Sequence, residues 1–265
     1  MTEFPRNKLE KALQDAADDP VARPDFFNLL LDAQIYVIGE ADSGLPEEDF
    51  RIREGDTLSL ASFEFEDGRP YIPFFTSLEA LTETVVGETG YLSIRGRELL
   101  ESTRGNYLVL NPGQEIAKEF TPGEVTRLLD DTRLPGQGEY TLAENTEVQL
   151  GPPVDIPVEM VEALTRLFAR HSTVRRAFLT QMRVPERDDD PLSLLVALET
   201  DGKTDAVLRA MEIVIASTAA PERPVDAVLL GNGSGFVDQY IAESGIEPFY
   251  ARSWGQRLKG FFVRP

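Results

Sequence analysis

The stretch Thr57-Leu-Ser-Leu-Ala-Ser-Phe-Glu-Phe-Glu-Asp-Gly-Arg-Pro-Tyr-Ile-Pro-Phe-Phe-Thr-Ser-Leu-Glu-Ala-Leu81, continued by Thr-Glu-Thr-Val85, decides the fold of the first half of the chain. It reads as a strand, a tight turn, a second strand and a helix. Asp67-Gly68 lies between two apolar, aromatic runs, and Gly accepts positive φ without steric cost, so the pair predicts a two-residue hairpin turn. Leu58 and Leu60 share one parity and Phe63 and Phe65 the other. That flip predicts a β-bulge near Ala61-Ser62. Pro70 and Pro73 cannot donate to a ladder, which predicts a strand after the turn that lies at an edge or pairs on one side only. Thr76-Ser-Leu-Glu79 fits a capping box, followed by Leu78, Leu81 and Val85 at helical spacing.

Outward from this stretch, amphipathic helices are predicted over 7–17 and 25–33. In the first, Asn7 and Glu10 are placed as a capping pair; in the second, Phe26, Leu29, Leu30 and Ala33 point inward. Ile35 to Ile38 is a buried strand ended by Gly39. Residues 40–56 carry seven acidic side chains and read as a surface loop. Strands are expected at 90–94 and 106–111, the latter running into the Pro112-Gly113 turn. Thr121-Pro-Gly-Glu124 is a second capping box, with Pro at the first helical position. The Gly-rich polar residues 133–145 read as a linker.

The second half alternates as β-α-β-β-α-β-α-β, with helices opening at Pro157, near Val207 and at Phe236. Its first six elements match a ferredoxin-like βαββαβ core, with one helix and one strand added. The predicted fold is therefore α+β: two α/β sandwich modules with mixed sheets, over residues 1–140 and 147–265.

Composition narrows the function classes. The 265 residues include 46 acidic and 26 basic side chains, a formal net charge of −20. Residues 1–150 hold 30 acidic and 13 basic of these, net −17. Such a field repels a polyanion, so nucleic acid is not expected as a partner. Cysteine is absent, which removes a disulfide framework, a thiol nucleophile and a thiolate metal site. No apolar run approaches the ~20 residues of a membrane helix, and residues 1–8 do not resemble a secretory signal. The expectation is a cytoplasmic chain without a membrane partner.

Few residue patterns point to chemistry. Gly231-Asn-Gly-Ser-Gly235 sits between a strand and a helix, as a phosphate loop would, but lacks the Lys-Ser/Thr of a P-loop and the Gly-x-Gly-x-x-Gly spacing. His171 is the one histidine, so no two-histidine metal site exists, and its place at a helix end suits the dipole there. Asp188-Asp189-Asp190 and Glu47-Glu48-Asp49 lack the alternating ligands and central Gly of a calcium loop. The tail from Ala251 carries Arg252, Arg257, Lys259 and Arg264 among Trp254, Phe261 and Phe262, and is expected to pack on the acidic first half of the chain or on a partner. No catalytic, cofactor-binding or metal residue is assigned, and no cofactor is expected. The candidate interaction residues are Phe75, Thr76, Asn111, Pro112, Gly113, Gly231, Gly233, Gly235 and Trp254.

Together these stretches resemble the SseB family ("enhanced serine sensitivity protein B"). In the first half the resemblance lies in Tyr71-Ile-Pro-Phe-Phe-Thr-Ser-Leu-Glu-Ala-Leu81, Tyr107-Leu-Val-Leu-Asn-Pro-Gly113 and Phe120-Thr-Pro-Gly-Glu-Val125. In the second it lies in Leu167-Phe-Ala-Arg-His171, Val174-Arg-Arg-Ala-Phe-Leu179 and Pro248-Phe-Tyr250. The resemblance implies two α/β modules, a cytoplasmic bacterial protein and a loose link to serine sensitivity, with no catalytic residue to carry over. The expected function is a non-enzymatic interaction or regulatory protein with a protein partner, a second copy in a homodimer included. An amino-acid or other small-molecule sensor is the alternative, by analogy of fold. An enzyme using carboxylates alone would need two of them converging in a pocket. The family label is shared with a type III secretion translocon component, which leaves a secretion-associated protein as a further alternative.

Overall fold

Strand pairing in the first half follows from where its apolar residues alternate. The computed structural model describes residues 4–41, 58–85, 87, 89–130, 148–183, 192–219, 223–231 and 235–252. The chain splits into two compact units, Met1–Thr132 and Arg133–Pro265. Each has its own mixed sheet, of seven and five strands among the described residues, with helices against it: an α+β fold. The acidic run 42–56, the 133–145 segment, Asp188 to Asp190, Gly233 and Trp254 lie outside the described residues.

In the first unit, α1 (Lys8–Asp18) and α2 (Arg23–Asp32) lead into β1 (Gln34–Ala41). Strands β2 (Leu58–Leu60), β3 (Phe63–Glu64) and β4 (Pro70–Phe75) precede α3 (Leu78–Thr84). Then come β5 (Tyr91–Arg95), α4 (Gly96–Ser102), β6 (Tyr107–Leu110), β7 (Lys118–Phe120) and α5 (Pro122–Leu129). Strand β1 is a hub, pairing antiparallel with β2, β4 and β5. It runs through Gly39 to Ala41 rather than ending there.

The key stretch departs from expectation in four ways. There is no bulge at Ala61-Ser62: the strand breaks there, and its halves pair with different neighbours, β2 with β1 and β3 with β4. The turn spans Phe65 to Gly68, closed by the Gly68 amide on the Phe65 carbonyl, and Gly68 rather than the Asp67-Gly68 pair takes positive φ (81°). Strand β4 is internal, not an edge: it pairs with β1, with β3 and in parallel with β6. Pro70 is the first residue of β4, and Pro73 registers with neither β3, which covers 70–71, nor β1, which covers 74–75, but stands opposite Val109 of β6. The helix cap falls on Ser77, whose side chain accepts from the Ala80 amide, and not on Thr76.

The alternation along β1 feeds two cores. Ile35 and Val37 join Phe74, Leu108, Leu110 and Phe120 beneath Leu9, Leu13, Phe26, Leu30, Leu99 and Val125 of the helices. Tyr36 and Ile38 face the other way, with Phe75 under Ala80 and Leu81 of α3. A strand buried on both faces reads as the continuous apolar run seen at 35–38. Each fully buried Phe contributes about 1.5–3 kcal/mol. Leu29, expected inward, is 42% exposed; Leu31 turns in instead. Strand β7 has no apolar alternation to announce it.

The second unit comprises β8 (Gln149–Gly151), α6 (Val158–Arg170), β9 (Val174–Arg183), β10 (Ser193–Thr200), α7 (Asp205–Thr218), β11 (Val225–Leu229), α8 (Phe236–Ser244) and β12 (Tyr250–Ala251). The element order is the expected one. Adjacency differs from a ferredoxin-like core, where the first strand lies between the third and fourth. Here β10 pairs directly with β11 in parallel, and β8 and β12 share the far edge of β9. With β9 and β11 on its two sides, β10 has no room for β8. Val237 of α8 packs on Phe178, Leu195 and Ala197, and the Tyr250 hydroxyl donates to the Phe168 carbonyl of α6 at 3.1 Å.

Candidate functional site

Three segments of the first unit converge where β4 ends: the start of α1, the Thr76-Ser77 corner and the Asn111 turn after β6. Four polar side chains are buried there: Glu10 at 0% exposure, Thr76 at 3%, Ser77 at 7% and Asn111 at 1%. Burying such groups is costly unless each finds a partner. Here each does.

Asn7 caps α1, its Oδ1 accepting from the Glu10 amide at 2.9 Å. Glu10 does not return the contact to Asn7, as a capping box would. Its Oε2 accepts from the Arg6 amide at 2.6 Å, and its Oε1 from the hydroxyls of Thr76 at 2.8 Å and Ser77 at 3.1 Å. Asn7 Nδ2 donates to the Thr76 carbonyl at 3.1 Å. Asn111 clasps Thr76 twice: its Oδ1 accepts from the Thr76 amide at 2.9 Å, and its Nδ2 donates to the Thr76 hydroxyl at 3.0 Å. Thr76 has one hydroxyl hydrogen, and the carboxylate, the stronger acceptor, takes it. Asn111 sits at φ 51°, a left-handed conformation that Asn tolerates better than most residues. Its own amide donates to the Phe74 carbonyl at 2.8 Å, continuing the ladder past β6.

Glu10 thus accepts from three internal donors, and its two oxygens face no open solvent. The arrangement braces α1 onto the ends of β4 and β6; it does not present a base. The signal for it was available. Glu10 lies three residues before Leu13 and six before Ala16, on the inward stripe of α1, where a carboxylate needs partners.

Above this brace lies a cleft of about 600 Å³. It is lined by Thr76 and Ser77, by Lys8 of α1 and Arg6 just before that helix, and by Gln34 and Tyr36 of β1. Glu79 of α3 also lines it.

The other candidate residues divide. Phe75 is fully buried in the second apolar cluster, and Pro112 is buried beside Asn111, so neither presents a surface to a partner. Asn111 acts on the cleft only by holding Thr76. Gly113, Gly231 and Gly235 are exposed. Gly235 precedes α8, and Asp238 in the first turn places a carboxylate oxygen 2.7 Å from where a Cβ on Gly235 would stand, which disfavours a phosphate there. His171 caps the C-terminus of α6, its amide donating to the Phe168 carbonyl at 3.1 Å. Among the described residues no group of three His, Asp or Glu could hold a metal ion, and no helix is long and apolar enough to cross a membrane.

Comparison with known proteins covers both units. The SseB protein N-terminal domain family matches residues 9–127, and the SseB protein C-terminal domain family matches residues 142–252. The chain is 34% identical over 256 residues to Protein SseB of Escherichia coli (strain K12), covering 97% of this chain and 96% of that one. The same figures hold for Protein SseB of Shigella flexneri. No solved structure matches. With both domain families in order and full-length similarity to these relatives, the chain belongs to the SseB family.

Proposed function

We propose that this SseB-family chain is a cytoplasmic interaction or regulatory protein that works by associating with another protein, not by catalysis. The observation that carries the reading is the closure of the Glu10 cluster: its most buried carboxylate is spent on Arg6, Thr76 and Ser77, so the best-formed polar constellation is a brace. With no cysteine in the chain, a nucleophile–histidine pair would have to use His171, which caps the C-terminus of α6. The acidic surplus, net −17 over residues 1–150, favours a basic partner steered by long-range charge. The serine link implied by the family label would then be an effect exerted through that partner.

The test is affinity capture from a bacterial lysate at low and at high salt, with quantification of what is retained. A stoichiometric partner at low salt, released as salt rises, supports the reading. No stoichiometric partner at low salt sinks it.

A further inference from the structure

We propose that the cleft at the start of α1 binds a small molecule carrying one carboxylate, gripped by the guanidinium edge of Arg6. The Arg6 side chain is only 10% exposed, yet its Nε has no hydrogen-bond partner. Buried donors are satisfied in almost all native structures, so one left over on a residue that lines a cleft points to a ligand group that reaches it once Glu83 moves aside. Its Nη2 donates to Glu83 Oε2 at 2.6 Å. Nε and Nη2 project from the same edge of the guanidinium, the edge that holds both oxygens of a carboxylate. Glu83 uses one donor of that edge and leaves the other. It is also 37% exposed, so it can swing out when a ligand carboxylate takes both.

The rest of the lining suits this occupant. Asn7 takes the Glu10 amide, which leaves the first-turn amides of Lys8 and Leu9 without intrahelical acceptors, and both residues line the cleft. The α1 dipole and the Lys8 ammonium add positive potential. Glu79 on the same lining and Glu83 beside it limit that potential. Two cations against these two carboxylates, with the Glu10 charge beneath them already met by three internal donors, suit a monoanion or a zwitterion and disfavour a dianion such as phosphate. Gln34 Oε1 accepts from Ser93 at 3.3 Å, which turns the amide nitrogen of Gln34 into a donor for the ligand. This inference does not depend on the partner proposed above; a carboxylate can bind whether or not a protein does.

The test follows the Arg6 Nε–H resonance of the full chain by nitrogen-15 NMR, titrating sodium acetate and glycine, with sodium chloride and inorganic phosphate at matched ionic strength. Acetate or glycine should shift it saturably, with half-saturation on the order of 1–10 mM. In Arg6→Lys, which lacks that resonance, the saturable acetate-dependent shifts of the Lys8 and Leu9 backbone amides that accompany binding in the wild type should be lost, while the rest of the backbone spectrum confirms the fold. Glu83→Gln should tighten binding about two- to fivefold by removing the competitor. A linear drift shared with chloride, a saturable response to phosphate alone, or weaker binding in Glu83→Gln would each overturn the proposal.

Discussion

The Thr76 hydroxyl donates to Glu10 Oε1 at 2.8 Å, although the two residues lie 66 positions apart in the chain. This bond ties the first turn of α1 to the end of the central strand β4. Because Glu10 is fully buried, the tie cannot be replaced by water.

Removing the carboxylate should therefore be severe. Glu10→Ala leaves the Arg6 amide and the Ser77 hydroxyl without an acceptor and turns the Thr76 hydroxyl onto Asn111 Oδ1, 3.2 Å away, and should lower the stability of the first unit by about 2–3 kcal/mol. Glu10→Gln should cost less, since its amide oxygen still serves Thr76 and Ser77 while its NH₂ faces the Arg6 amide. Urea unfolding reads the difference as a midpoint shift at unchanged slope. Equal stability of Glu10→Ala and the wild type would remove the brace from the account.

Asn111 carries both a conformation and a clasp. Asn111→Gly keeps the φ of 51° at little strain but loses both side-chain bonds to Thr76; Asn111→Ala loses the same bonds and adds strain. Alanine should be the worse of the two by about 1 kcal/mol. In a Thr76→Val background urea unfolding should show the same gap between alanine and glycine, since the strain is independent of Thr76, while both variants cost less than in the wild type because the hydroxyl bond is already gone.

Glu124 supplies a pH test. Burial pushes its carboxyl up, but the Thr121 backbone amide and the Lys118 side chain outweigh that and hold it below the ordinary value of 4.5. A carboxyl depressed in the folded state adds stability above its unfolded pKa and loses it as pH falls through the folded pKa. The advantage of wild type over Glu124→Gln should thus be full above about pH 5 and fade as pH drops below 4.5. A difference independent of pH in thermal melts would show that the ionised form is not what the capping box uses.

Gly96 is held by close approach rather than by its torsions. A Cβ there would stand 2.0 Å from the Leu30 carbonyl oxygen of α2, while its amide donates to the Ala33 carbonyl at 2.9 Å. Gly96→Ala must push α4 away from α2 and should cost about 1–3 kcal/mol. A neutral result in chemical denaturation would mean that the two helices are not in this contact.

What could be read from the sequence was local. The Thr121–Glu124 capping box, the Pro122 helix start, the Gly68 turn and the apolar stripes of α6 and α7 all depend on residues within about four positions of each other, so their chemistry is written in adjacent letters. The order of elements followed from them. Partnership was decided only by the tertiary structure. Which strands flank β4, where β8 lies, and that Thr76 answers to Glu10 and Asn111 rather than capping its own helix, all depend on surfaces that meet after the chain has folded. Thr76 and Ser77 are equally good caps by residue type; the buried carboxylate of α1 engages both hydroxyls, and Asn111 claims Thr76 as well, leaving Ser77 to cap α3.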